Sequence, residues 1–216
     1  HLLKLILNKK YNPLFSSDAR YFIITGGRGS GKSFAVTVFL TLLTMTKGIR
    51  ILFTRYTMTS AHLSIIPEFL EKIGLLGFDE VFSINKAEVV NTSNQSDILF
   101  RGIRTSAGNQ TASLKSLQGI STWVLDEAEE LVDENIFDTI DLSIREKNIH
   151  NRVVLILNPV TKEHWIYKRF FEDKGVEGGF NGFKDNVCYI HTSYLDNIIN
   201  LSQSFLERIK SIKHRN

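Results

Sequence analysis

The chain has 216 residues, 43% of them hydrophobic, enough to bury one substantial core, and its 26 Lys and Arg against 23 Asp and Glu leave a net charge of +3. That balance excludes a disordered or fibrous chain and is too weak to indicate nucleic acid by itself, so any DNA contact must be local. A single cysteine, Cys188, excludes an internal disulfide and reads as a small apolar strand residue in a reducing compartment. No apolar run approaches the ~18 residues of a membrane span and no signal-peptide pattern is present, so a soluble, intracellular protein is expected. Because the chain opens on His1 and not on methionine, both ends are expected to be trimmed.

Residues 1–20 begin with a short amphipathic piece (Leu2, Leu3, Leu5, Ile6, Leu7) and the turn Tyr11-Asn12-Pro13. Standing just ahead of a glycine-rich stretch, the segment either covers a nucleotide base or simply packs on a sheet. The apolar run Tyr21-Phe22-Ile23-Ile24-Thr25 then leads into Gly26-Gly27-Arg28-Gly29-Ser30-Gly31-Lys32-Ser33, which reads G-x-x-x-x-G-K-S between a buried strand and a helix. The residue types suit a phosphate-binding loop. Glycines let backbone N–H groups turn inward, and the following helix points its positive dipole end at the same place. Lys32 is expected to reach the β- and γ-phosphates of ATP, and the Ser33 hydroxyl to hold Mg2+.

The helix from Lys32 to about Thr46 is apolar nearly all round, as for a helix between a sheet and another layer, and Gly48 ends it. Ile49 to Thr54 reads as a second strand, leaving Arg55-Tyr56 at its carboxyl end, where ligands collect in open α/β sheets. A helix with Leu63, Ile66, Leu70 and Ile73 on one face follows, kinked by Pro67, and its periodicity carries no chemistry. Glu88–Asn91 and Asp97–Arg101 flank the polar turn at 92–96 and predict a β-hairpin inserted in the nucleotide fold. Residues 102–119, with Arg104 and Lys115 among many small polar residues, predict a long loop with at most a short helix around Leu114.

Ile120-Ser121-Thr122-Trp123-Val124-Leu125 is an apolar strand ending in Asp126-Glu127. An Asp-Glu pair after a strand is commonly just solvated, but coupled to the glycine loop it has a chemical reading. Side chains alternate along a strand, so the two carboxylates do different work: Asp126 completes Mg2+ coordination opposite Ser33, and Glu127 orients and polarises the attacking water. Asp133 is a candidate N-cap for a helix bearing Ile136, Phe137, Ile140 and Ile144, on which Asp141 and Arg145 stand four apart as a solvated pair. Arg152 to Leu157 is another buried strand, ended by Asn158-Pro159; Asn158 either touches the γ-phosphate or its water, or merely starts a turn.

A helix over 160–174 carries Trp165, Ile166 and Phe170, with Lys162, Lys168 and Arg169 on its outer side; the glycine-rich stretch 175–182 is a candidate mobile loop. Val187 to Thr192 gives a last strand, followed by a turn, a helix from about Ser202 and a basic end. These elements predict an α/β fold: a P-loop NTPase of the additional-strand, catalytic-glutamate type, its mostly parallel central sheet flanked by helices, with an inserted hairpin and a small C-terminal linker region. The expected division is a P-loop ATPase core over 1–174 and a strand/helix linker over 175–216.

The order of the glycine loop, Lys115-Ser116-Leu117-Gln118-Gly119-Ile120, Trp123-Val124-Leu125-Asp126-Glu127-Ala128-Glu129-Glu130 and Leu157-Asn158-Pro159 resembles the large terminase subunit of tailed bacteriophages over most of residues 11–197. The resemblance implies an Mg2+-dependent ATPase motor that pumps double-stranded DNA into a procapsid. Gly26, Gly27, Arg28, Gly29, Ser30, Gly31, Lys32 and Ser33 would then cradle the nucleotide, Ser33 and Asp126 hold the metal, and Glu127 act as base. Arg28 matches an arginine the family uses near the γ-phosphate, and Asn158 falls on the motif that couples hydrolysis to DNA movement. A second cation from a neighbouring subunit is implied, with Lys115 ranked ahead of Arg101 and Arg104, although lysine lacks the bidentate fork of arginine. The implied partners are double-stranded DNA, a portal protein, a small terminase subunit and further copies in a ring when active, with a monomer left open for the isolated domain. The implied setting is the host bacterial cytoplasm at the procapsid portal. The family's nuclease domain would begin where this chain ends, so no nuclease activity is expected. The competing readings are a helicase-like or other DNA-remodelling ATPase, a small-molecule kinase, which has no need of Glu127 beside Asp126, and a nucleotide-binding assembly module with little hydrolysis of its own.

Overall fold

The computed structural model describes residues 8–58, 65–75, 77–105 and 108–196. Among them the elements run α1 (Asn12–Ser16), β1 (Tyr21–Thr25), α2 (Lys32–Leu43), β2 (Arg50–Thr57), α3 (Ile65–Leu75), β3 (Phe82–Ile84), β4 (Glu88–Asn91), β5 (Asp97–Thr105), β6 (Gly108–Asn109) and α4 (Thr111–Lys115). They continue with β7 (Thr122–Leu125), α5 (Glu134–Asp141), β8 (Arg152–Leu157), α6 (Trp165–Tyr167) running into a π-helical turn at Lys168–Glu172, β9 (Gly182–Lys184) and β10 (Val187–His191). The expected helix beyond Ser202, the N-terminal leucines and the basic C-terminal end lie outside the described residues.

The strands form one sheet in the order β3-β4-β5-β2-β7-β8-β1-β10-β9, with β6 paired to β5. The six strands from β5 to β10 in that order run parallel, so their carboxyl ends share one edge. β8 stands between β1 and β7, which separates the strand before the glycine loop from the strand before Asp126 by one strand, as the additional-strand fold requires. The strands are apolar on both sides because both sides are covered. Phe22, Ile24, Ile51, Val154 and Ile156 pack toward α1, α2 and α3, while Ile23, Leu52, Trp123, Leu125, Leu155 and Tyr189 pack toward α5 and α6.

Several expectations are refined by this arrangement. The hairpin of β4 and β5 forms, with Glu88 opposite Leu99 and Val90 opposite Asp97, but β5 is also the parallel neighbour of β2, so the hairpin is continuous with the main sheet. The pairing with β2 carries β5 on through Arg104, and the long loop expected over 102–119 is largely strand, β6 and α4. Ladder bonds come from the backbone, so polar side chains did not prevent it. Pro67 sits in the first described turn of α3, where a missing N–H is tolerated. β10 lies beside β1 with Val187 opposite Tyr21, so the division expected at residue 174 falls inside the sheet.

Asp141 is not a solvated partner of Arg145. It is 6% exposed, accepts from Arg20 at 2.7 Å and from the Tyr21 hydroxyl at 2.6 Å, because the start of β1 reaches the end of α5. Arg169, expected on an outer basic face, instead bonds Asp138 at 2.5 Å and lies over the Phe137 and Phe170 rings. The stretch 175–182 is tied to β10: Asn181 accepts from the His191 N–H at 2.8 Å and donates to the His191 carbonyl at 3.2 Å, copying a strand pairing with a side-chain amide.

Candidate functional site

The carboxyl ends of β1, β2, β7 and β8 open into a cleft of about 400 Å³ lined by the glycine loop, Arg55, Asp126, Glu127, Glu129 and Asn158. The loop folds back tightly on itself. A Cβ on Gly26 (φ +153°) would come within 2.3 Å of the Thr192 carbonyl oxygen, so glycine alone fits there, and Gly31 (φ +85°) makes the left-handed entry into α2. The first turn of α2 therefore presents its free N–H groups to the cleft.

Lys32 reaches across the loop. Its ammonium donates to the carbonyls of Gly26 and, at 3.1 Å, Gly27, and to Asn158 Oδ1 at 3.3 Å. Burial lowers its pKa, opposed by the nearby Glu129 and Asp126 carboxylates. Ser33, one residue on, is exposed and lines the same cleft.

Asp126 is 5% exposed at the end of β7. Its carboxylate accepts from Arg55 Nε at 2.8 Å and from the Glu127 N–H at 3.0 Å, which leaves each oxygen a further lone pair. With the Ser33 hydroxyl this is an all-oxygen donor set, the chemistry that suits a hard divalent cation such as Mg2+. Glu127 differs from Asp126 for a reason other than strand alternation: it has left the strand, adopts the left-handed φ of +50°, and keeps a half-exposed carboxylate where that of Asp126 is buried. Burial raises the Glu127 pKa; Arg55, with Nε 3.9 Å away, opposes the rise, and Asp126, Glu130 and Glu129 add to it. A carboxylate with a raised pKa is a better general base.

Asn158, at the end of β8, joins two of these groups. Its Oδ1 accepts from Lys32 and its Nδ2 donates to Glu129 Oε1 at 2.9 Å, while Glu129 Oε2 is buried without a partner. Arg28 is exposed on the cleft rim. The structure thus brings together Arg28, Lys32, Ser33, Asp126, Glu127 and Asn158. It does not bring Lys115 to them: that residue ends α4, exposed, and does not line the cleft of its own chain. Arg101 is committed to the carbonyls of Ala87 and Phe100, whereas Arg104 is exposed near the carboxyl end of β5.

Three charged lining residues have no role assigned from the sequence. Arg55 was placed only at the correct edge, since its pairing with Asp126 depends on β2 lying beside β7. Glu129 stands in the stretch that carries the family resemblance but has no role of its own there. Lys72 lies on α3, the helix read as carrying no chemistry; its place three residues after buried Phe69 and one before buried Ile73, on the border of the apolar stripe, was the available signal.

A family model for the phage terminase large subunit matches residues 18–216. The large terminase subunit of Bacillus phage SPP1 is 24% identical over 233 residues, covering 99% of this chain and 52% of that protein, so the chain spans about half the length of this curated relative. The fold is shared with the ATPase domain of the Thermus phage P74-26 large terminase, with a TM-score of 0.67, 18% identity, and coverage of 96% of this chain and 89% of that one. It is shared also with the N-terminal domain of the DNA packaging ATPase of bacteriophage phi29, with a TM-score of 0.66, 14% identity, and coverage of 86% and 96%. A match running through the sheet and both cleft motifs settles the relationship: the chain belongs to the phage terminase large subunit family.

Proposed function

We propose that this chain is the ATP-hydrolysing motor domain of a large terminase, which drives double-stranded DNA into a procapsid. The observation that carries the reading is the convergence of Lys32, Ser33, Asp126 and Glu127 on one cleft, from two strands separated by β8. A large terminase of similar fold has been solved in complex with ATP-gamma-S.

In this reading the loop N–H groups and the start of α2 bind the phosphates, and Lys32 exchanges its loop carbonyls for the β- and γ-phosphate oxygens. Ser33 and Asp126 hold Mg2+, which neutralises charge on the phosphates when bound. Glu127 orients the water and accepts its proton, while Arg28 sits near the γ-phosphate. Asn158 is the coupling residue: drawing Lys32 toward phosphate breaks its contact with Asn158 and leaves Asn158 to Glu129, so the state of the cleft is passed to the end of β8. The motor core extends through β10, and the segment after it is the passage toward the rest of the large subunit. Identical subunits in a ring at the portal supply a cation in trans, for which Lys115 and Arg104 are the available groups. Portal protein and small terminase subunit are the remaining partners, in the host cytoplasm.

Turnover measured against protein concentration, with and without DNA, tests this. A rate that rises with concentration is expected, because neighbours complete the site. A flat, negligible rate at all concentrations favours a nucleotide-binding assembly module instead.

A further inference from the structure

Three polar groups from distant parts of the chain meet behind the phosphate loop. The Tyr11 hydroxyl lies 2.7 Å from Thr192 Oγ1, and both lie 3.2 Å from the backbone carbonyl oxygen of Ser30. Tyr11, Ser30 and Thr192 are 2%, 1% and 0% exposed, so water does not substitute for these partners. Two hydroxyls carry only two protons, and three contacts cannot all be donated at once. The shortest contact joins the hydroxyls and the phenol is the stronger donor, so Tyr11 donates to Thr192 and Thr192 donates to Ser30. Burial pushes the Tyr11 phenol up to about 12, which keeps it a donor across the neutral range.

Both anchors are themselves held. The Thr192 N–H donates to the Thr25 carbonyl at 3.1 Å, at the end of β1. Asp196 accepts from Lys10 Nζ at 3.1 Å, and its carbonyl accepts from Asn8 Nδ2 at 3.1 Å, which ties the segments carrying Tyr11 and Thr192 to each other.

The consequence for the loop follows from peptide geometry. In a trans peptide the C=O and N–H point in opposite directions. With the Ser30 carbonyl turned back into the protein, the Gly31 N–H of the same peptide is turned toward the cleft that Gly31 lines. A Ser30 carbonyl rotated the other way would set the negative end of its dipole against a phosphate. We propose that Tyr11 and Thr192 are positioning residues for the phosphate loop, acting through the Ser30 carbonyl to hold the Ser30–Gly31 peptide with its N–H toward the phosphates. This rests on the reading of the cleft as a nucleotide site. The two hydroxyls are redundant: either alone still reaches the carbonyl, whereas removal of both leaves it buried without a donor.

The test compares Tyr11→Phe, Thr192→Val, the double variant, and Tyr11→Phe combined with Thr192→Ser. Affinities for a fluorescent ATP analogue and for tripolyphosphate are measured beside ligand-free thermal unfolding and kcat. Each single change is expected to weaken both ligands about 2-fold and the double change about 20-fold or more, well beyond the roughly 4-fold product of the singles. Thr192→Ser, which keeps the hydroxyl, is expected to leave the Tyr11→Phe protein no weaker than Tyr11→Phe alone. The loss is expected in affinity more than in kcat, and equally for tripolyphosphate, since the base is not involved. Should the double variant not fold, Thr192→Ala replaces Thr192→Val, leaving room for water beside the carbonyl. A folded double variant that binds tripolyphosphate like the wild type, while Lys32→Ala abolishes binding, overturns the proposal. A loss confined to the ATP analogue overturns it too, by placing the pair at the base. If Lys32→Ala binds both ligands as well as the wild type, the nucleotide reading itself fails and this inference with it.

Discussion

Replacing Arg55 by Ala removes the ion-pair partner that holds the buried Asp126 carboxylate by a direct hydrogen bond. The contact is 2.8 Å long, and the Asp126 side chain is 6% exposed against 22% for Arg55. Breaking a buried pair by deleting one member costs about 3–5 kcal/mol, and the retained Glu127 N–H and the partial exposure of Arg55 place this case at about 3 kcal/mol or slightly below. For a domain of this size that corresponds to a fall in Tm of about 6–12 °C. The same substitution has a second, catalytic signature. Arg55 opposes the rise in the Glu127 pKa, so its removal raises that pKa further. A base must be deprotonated to work, so turnover is lost as pH falls through the Glu127 pKa, and the acid limb of the pH profile moves to higher pH in Arg55→Ala. Differential scanning calorimetry at neutral pH and turnover from pH 5 to 9 measure the two effects. Adding Asp126→Asn is expected to recover part of the lost stability, because the unpaired charge is then gone. A Tm within about 2 °C of the wild type would show that the pair is not the counter-charge it is taken to be. An acid limb that stays in place would refute the assignment of Glu127 as the group titrating there.

Other expectations concern single residues. Glu127→Gln should lower turnover about 10²- to 10⁴-fold with nucleotide affinity retained, and an unchanged rate would sink the assigned base. Lys72→Ala, which removes the cation that α3 contributes to the cleft lining, should weaken ATP binding and leave the affinity for adenosine unchanged; equal loss for both, in equilibrium titrations, would mean that α3 had shifted. Cys188 is 0% exposed on β10, with burial raising its thiol to about 12, so a thiol reagent should label it only after denaturant is added, and prompt labelling of the native chain would contradict that burial.

The glycine loop, the paired carboxylates and the buried strands were legible because the properties that specify them are local. A run of glycines before Lys32-Ser33 can be recognised without knowing what surrounds it, and β-branched runs announce strands. Periodicity failed where a tertiary partner replaced a local one. Asp141 and Arg145 have ideal helical spacing, yet Arg20 from another element takes the carboxylate. The polar residues after Arg101 gave no strand signal, but β2 offered a backbone to pair with.

By itself the sequence determined the phosphate loop, the identity of Asp126 and Glu127, the α/β class and, through the order of its motifs, the family. The tertiary structure alone decided which groups meet: Arg55 on Asp126, Asn158 between Lys32 and Glu129, and Tyr11 with Thr192 behind Ser30. Their members are separated by between 19 and 181 residues along the chain. No helical or strand period spans such distances. Strand order does, because a parallel sheet delivers every carboxyl end to one edge whatever the separation of the strands in sequence.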